Sequence, residues 1–238
     1  MEAIKKNASE KSPGLDGILL EVLKRALVIL PEITLLINKC MALGRFPKEW
    51  KKGNLIPIPK PDKDETLAKS YRPICLLPLL RKTFERLIID RASAVIHKKA
   101  HESDSQFGFK VGRSTEDAIL KLQQVVKESN SNYACANLLD ISGAFDNLWW
   151  LSLINILRAR GCPVNIFRVL KDYLHEREVI IQGTHQECSK KVTKGTPQSS
   201  IFGPIAWNLQ LDGLLNLIKE EGVGSLCGRC HHRDTRWH

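Results

Sequence analysis

Asp140 closes an apolar run, Tyr133 to Leu139, and Gly143 and Asp146 follow before a helical pattern begins. Nearly every position of that run is apolar or small, as in a short strand covered on both faces. A rigid strand that delivers a carboxylate at its C-terminal end suits divalent-metal chemistry. The strand fixes the ligand, and the loop beyond it leaves room for substrate. The plainer alternative is that Asp140 ends a strand and Asp146 caps the next helix. Residue types alone leave both readings open.

The elements that must position this carboxylate can be read along the chain. Ser12 to Gly17 is a turn cluster, and Leu19, Leu20, Leu23, Leu27 and Leu30 after it lie close to one helical face. Pro31 opens a second helix, which runs to Leu43 and stops at Gly44. Leu55 to Ile58 carries a proline, with another following, which permits an extended edge strand but no central one. A long helix is expected from Leu79 to Lys99, with many charges between its apolar positions. Ser114 and Asp117 form a capping box ahead of Ile119, Leu122, Val125 and Val126. Further helices follow from Leu148 to Gly161, from Pro163 onward, and from Ile205 to Glu220, with a hairpin around Gly183. Strands interleaved with helices give an α/β fold.

Composition narrows the partners. The 238 residues can bury a sizeable core. The net charge is +10, and it is uneven: Arg45 to Arg113 holds 16 Lys and Arg against 8 Asp and Glu. A basic region of that size suits a polyanion, most simply a nucleic acid, although a solvated lysine-rich surface has the same composition. No stretch approaches the ~20 apolar residues of a membrane span, and Ile18 to Leu30 is interrupted by Glu21, Lys24 and Arg25. No membrane partner is expected. The seven cysteines are widely spaced and mostly within apolar runs, as reduced thiols in an intracellular protein would be.

Five blocks in order carry a resemblance to a known family. They are Ser12-Pro13-Gly14-Leu15-Asp16-Gly17-Ile18, then Ile56-Pro57-Ile58-Pro59-Lys60-Pro61 with Tyr71-Arg72-Pro73-Ile74, then Gln106-Phe107-Gly108-Phe109 with Gly112-Arg113-Ser114-Thr115. The Asn137-to-Asn147 stretch around Asp140 is the fourth, and Gly195 to Pro204 the fifth. Together they resemble the reverse transcriptases of non-LTR retrotransposons, from about Lys11 to Gly222. The resemblance implies a right-hand polymerase with fingers and an incomplete palm, an antiparallel palm sheet packed on helices. Residues 1–11 would be linker, 12–132 fingers with N-terminal helices, 133–222 partial palm, and 223–238 an aberrant tail.

It also implies roles. Lys60 and Arg72 match the basic pair that grips the triphosphate, and an Arg fork with a Lys point charge on a hairpin can neutralise phosphate. Gln106, Phe107, Gly108, Phe109 and Arg113 match the template-contacting segment. The two aromatics would stack on bases or anchor the loop by packing inward. Phe145 matches the steric gate, a ring under the sugar that leaves no room for a 2′-hydroxyl. Gln198 matches the residue that contacts the incoming nucleotide, while Ser199 stands where the family usually has glycine. Asp140, with the carbonyl of Ile141, would hold Mg²⁺ for in-line attack of a primer hydroxyl on a dNTP, through two ions about 3.5–4 Å apart. The expected partners are an RNA template, a DNA primer and dNTP, in cytoplasm and nucleus.

The family's other catalytic carboxylates form an adjacent Asp pair in a Tyr/Phe-Ala-Asp-Asp hairpin, and this sequence contains no Asp-Asp. Codons for Leu226 to Cys230, written CTA TGC GGA CGA TGC, read Tyr-Ala-Asp-Asp when entered one base later. The tail therefore reads as out-of-frame translation, and the chain as catalytically incomplete. Cys227, Cys230 and His231 also permit a haem-attachment string or, with His232 or His238, a partial zinc site. A residual nucleic-acid-binding module without catalysis is the alternative function.

Overall fold

The computed structural model describes residues 12–96, 103–129, 132–133, 141, 143–183 and 186–220. Seven helices are present among them: α1 (Leu20–Arg25), α2 (Leu30–Leu43), α3 (Leu79–Ile96), α4 (Thr115–Glu128), α5 (Trp150–Ala159), α6 (Val164–Leu174) and α7 (Phe202–Glu220). The four strands are β1 (Lys52–Pro59), β2 (Tyr71–Leu76), β3 (Arg177–Gln182) and β4 (Glu187–Val192). The chain is α/β, as expected.

The apolar stripe from Leu19 to Leu30 is not one helix. Helix α1 ends at Arg25, Ala26 leaves helical geometry at ψ 53°, and a 3₁₀ turn covers Leu27–Ile29. Pro31 sits in the first turn of α2. Its ring would clash with the Leu27 carbonyl of a continuous helix, so the chain restarts there. Helix α2 stops where expected, on Gly44 at φ 66°.

The strands form one mixed sheet in the order β2-β1-β3-β4. Strand β1 is therefore internal, against the expectation of an edge strand. The register shows how its prolines are accommodated. Strand β3 pairs in parallel with Lys52–Asn54 alone, ahead of the prolines. The segment carrying Pro57 and Pro59 pairs only with β2, where Pro57 lies opposite Pro73 and Pro59 opposite Tyr71. Missing amides thus fall where no second neighbour needs them. The sheet unites hairpins from both sides of residue 132. The expected antiparallel strand Tyr133–Leu139 lies outside the described residues apart from Tyr133, as does the tail from 221 onward.

Helices α2, α3, α5, α6 and α7 enclose the main core. At its centre Phe46 stacks on Phe84 at 5.2 Å and meets Tyr173 edge-on at 5.0 Å. Helix α3 carries the unexpected part of that core: Arg81, Lys82, Thr83 and Glu85 are all buried. No described helix is long and apolar enough to cross a membrane.

Candidate nucleotide and template site

The loop Gly195–Ser200 enters α7 and is held at both ends. Gly195 donates its amide to the Leu148 carbonyl at 2.8 Å, and Thr196 donates to the Phe145 carbonyl at 2.8 Å. Gly195 adopts φ 79°, and a Cβ there would stand 2.6 Å from the Asp146 carbonyl oxygen. Only glycine fits so close an approach. The Trp150 indole donates to the Gly195 carbonyl at 2.7 Å. At the far end the Ser200 hydroxyl accepts from the amides of Phe202 (3.1 Å) and Gly203 (3.2 Å), satisfying donors at the start of α7.

A buried charge network supports that end. Glu85 accepts from the Ser200 hydroxyl at 2.9 Å and from the Ile201 amide at 2.8 Å. Its other oxygen accepts from Arg81 Nε at 3.0 Å. Arg81 also donates to the Trp50 carbonyl at 2.7 Å and to the Tyr173 hydroxyl at 3.3 Å. The guanidinium carbons of Arg81 and Arg177 lie 5.3 and 5.2 Å from the centroid of the Tyr173 ring. Burial works against the Arg81 charge, but Tyr173 and Glu85 beside it raise its pKa on balance. For Arg177 burial prevails and the pKa falls.

This loop meets two of the other blocks. Phe145 lies against it, with ring carbons 3.6 Å from where a Gly203 Cβ would stand. Phe109 meets Phe145 edge-on, with centroids 5.8 Å apart at 68°. Asn208 on α7 donates to the carbonyls of Gly108 (3.0 Å) and Phe109 (3.2 Å) and accepts from Gln106 at 2.9 Å. Phe109, Phe145 and the Gln198 loop are thus brought to one place from three distant stretches of sequence. The Gln198 carboxamide oxygen is buried there without a partner among the described residues. Ser199 turns its hydroxyl to the Cys75 carbonyl on β2, tying this loop to the sheet.

Within the template block, Phe107 anchors the loop. It is buried, and Arg113 lies over its ring at 5.1 Å. Of the two readings open for this aromatic pair, Phe107 takes the inward anchor, because its apolar ring finds cover between the loop and Arg113. Arg113 spends its guanidinium on the same loop, donating to the carbonyls of Asp104 and of Gln106, the latter at 3.1 Å. Gln106 is buried and donates to the Gly108 carbonyl at 3.1 Å.

The basic pair lies on the β1–β2 hairpin. Arg72 stands opposite Ile58 and is exposed, and its guanidinium makes no hydrogen bond or ion pair among the described residues. Lys60 follows β1, with Nζ donating to the Lys69 carbonyl at 2.7 Å. Asp140 lies outside the described residues, and so do Cys227, Cys230, His231 and His232. Ile141 is described and exposed. Among the described residues no three His, Cys, Asp or Glu side chains gather as a metal site. Asn208 and Glu85 were not legible as site residues. Glu85 stands between Phe84 and Arg86 and Asn208 between Trp207 and Leu209, each mid-helix, and apart from Arg81 their partners lie about a hundred positions away.

Comparison with known proteins places these features. Residues 58–231 match the family described as reverse transcriptase (RNA-dependent DNA polymerase). The chain is 35% identical over 213 residues to the putative 115 kDa protein in type-1 retrotransposable element R1DM of Drosophila melanogaster, covering 89% of this chain and 20% of that protein. It is 35% identical over 223 residues to the retrovirus-related Pol polyprotein from type-1 retrotransposable element R1 of Bradysia coprophila, covering 93% and 22%. To the RNA-directed DNA polymerase from mobile element jockey of Drosophila melanogaster it is 33% identical over 209 residues, covering 84% and 22%. The chain spans about a fifth of the length of these relatives.

Proposed function

Because the chain belongs to the reverse transcriptase family of non-LTR retrotransposons, we propose that it supplies the fingers and part of the palm of an RNA-directed DNA polymerase. One observation carries the reading: Phe109, Phe145 and the loop bearing Gln198 converge on one place. The substrates are a dNTP and a DNA primer on an RNA template, inside the cell in cytoplasm and nucleus.

Phe145 lies under the sugar and excludes a 2′-hydroxyl. Gln198 offers to the incoming nucleotide or template a carboxamide oxygen that has no partner among the described residues. Arg72, exposed on the hairpin, offers its guanidinium fork to the triphosphate with Lys60 beside it. Asp140 and the Ile141 carbonyl are hard-oxygen donors of the kind Mg²⁺ prefers. Mg²⁺ held there would supply the charge that activates the primer hydroxyl and steadies the leaving pyrophosphate. The donors fall short of that: the sequence has no adjacent Asp pair, so Asp140 is the one carboxylate we assign to the metal site. We therefore expect this chain alone to add nucleotides negligibly.

A second reading, nucleic-acid binding without catalysis, draws on the basic stretch from Arg45 to Arg113. Primer extension with Mg²⁺ separates the two, run on this chain and on a version carrying Leu226→Tyr, Cys227→Ala, Gly228→Asp and Arg229→Asp. The expected result is salt-dependent RNA retention without incorporation by the chain as it stands, with incorporation once the Asp pair is restored. Retention without incorporation by both favours the second reading. Incorporation by the chain as it stands would overturn the incomplete metal site, and failure to retain primer–template would overturn the polymerase reading.

A further inference from the structure

We infer that Phe109 and Asn208 are positioning residues that set sugar selectivity by fixing the plane of the Phe145 ring. This rests on the reading of Phe145 as the ring beneath the sugar. Such a ring discriminates by excluding a single oxygen atom, so it works only if it cannot tilt. A phenyl ring turns easily about its last side-chain bond, and its neighbours must therefore hold it.

Two surfaces do so. On one side the ring lies along Gly203, where a Cβ would be 3.6 Å from two ring carbons and 3.0 Å from the Thr196 hydroxyl. On the other side Phe109 presents its ring at 68° with the centroids 5.8 Å apart. Phe109 reaches that place through a backbone conformation that a bulky side chain rarely adopts, φ 53°. Asn208 holds that conformation by donating to the carbonyls on both sides of the Phe109 amide, those of Gly108 at 3.0 Å and Phe109 at 3.2 Å. Its own carbonyl oxygen is fixed by Gln106 at 2.9 Å. Helix α7 thus sets Phe109, and Phe109 sets Phe145. Phe109 acts behind the nucleotide rather than as a stacking surface for the template.

The test needs no catalysis. The full chain is bound to an RNA template annealed to a DNA primer ending in a dideoxynucleotide. Retention against heparin in Mg²⁺ is then titrated with dATP and with ATP opposite a template uridine. The parent chain should favour dATP by roughly tenfold or more, in line with a contact that rejects one extra polar group. Phe109→Ala and Asn208→Ala should each cut that ratio by at least ~3-fold, mainly by admitting ATP, while Phe109→Tyr keeps it. A merely structural role would weaken both nucleotides together and leave the ratio alone. If Phe145→Ala abolishes the preference but the Phe109 and Asn208 variants retain it, this inference is overturned and the gate stands. If the parent shows no preference, or Phe145→Ala leaves it intact, the gate reading falls and takes this inference with it. Asn208→Ala, which removes no aromatic ring, keeps the test decisive should Phe109→Ala fold poorly.

Discussion

Arg81 and Glu85 pair at 3.0 Å one helical turn apart, and each side chain is 1% exposed. A buried pair of this kind is held by its surroundings more than by its own attraction, because both charges have lost their water. The surroundings here are Trp50, Tyr173, Ser200 and Ile201, so the pair ties α3 to the loop that carries Gln198.

Removing one charge should be costly. Glu85→Gln leaves Arg81 buried without its counter-charge and should lower the unfolding free energy in urea by about 3 kcal/mol. Hydrogen exchange at the Ile201 amide should quicken, since that amide donates directly to Glu85. An unchanged urea midpoint would show that the carboxylate charge does not support the loop.

Two glycines separate strain from collision. Gly17 and Gly195 have φ of 65° and 79°, but a Cβ at Gly17 meets nothing within 4 Å, while at Gly195 it meets two carbonyl oxygens. Gly17→Ala should cost about 1 kcal/mol for the left-handed backbone alone. Gly195→Ala should cost more than ~2 kcal/mol, and thermal unfolding of the two variants side by side checks the difference.

Helix α4 depends on its cap. Ser114 accepts from the Asp117 amide at 3.1 Å while Asp117 accepts from the Ser114 amide at 2.7 Å, and none of the helix's residues is buried. Ser114→Ala should lower local stability by about 1 kcal/mol. The loss should appear as faster hydrogen exchange across Thr115–Glu128, with little change in the global unfolding midpoint.

The cysteines should react in a set order. Burial pushes the Cys162 thiol up to about 11 from 9.0, and raises Cys40 and Cys75 as well. Below pH 9 that shift cuts the Cys162 thiolate about a hundredfold, so iodoacetamide at pH 8 should label exposed Cys188 well before it. The fold favours the neutral thiol. Its contribution to stability is complete below pH 9 and should fade as the pH rises toward 11, a slope that Cys162→Ala should reduce.

Local chemistry was legible in the sequence, and long-range partnership was not. The capping box of α4, the Gly44 stop and the hairpin around Gly183 each follow from neighbouring residues, and each is present. The burial of the α3 charges was not legible because nothing nearby in sequence reveals Tyr173 or Ser200, the groups that allow Arg81 and Glu85 to be buried. Phe107 beside Arg113 reads equally well as a base-stacking pair or a loop anchor until the loop's own carbonyls are seen to take the guanidinium. Pro31 marked the start of a second helix, but not that the first already ends at Arg25. The leucine spacing concealed it.

The seam of the sheet bears on how the chain is made. Lys52 lies opposite Glu178, more than half the chain away, so the β1–β2 hairpin waits for its neighbour until β3 has left the ribosome. During that interval the amide row of Lys52–Asn54 is bare, an adhesive border for any other nascent polypeptide. Slow translation between the two segments should therefore favour clumping, and fast completion should favour the soluble product.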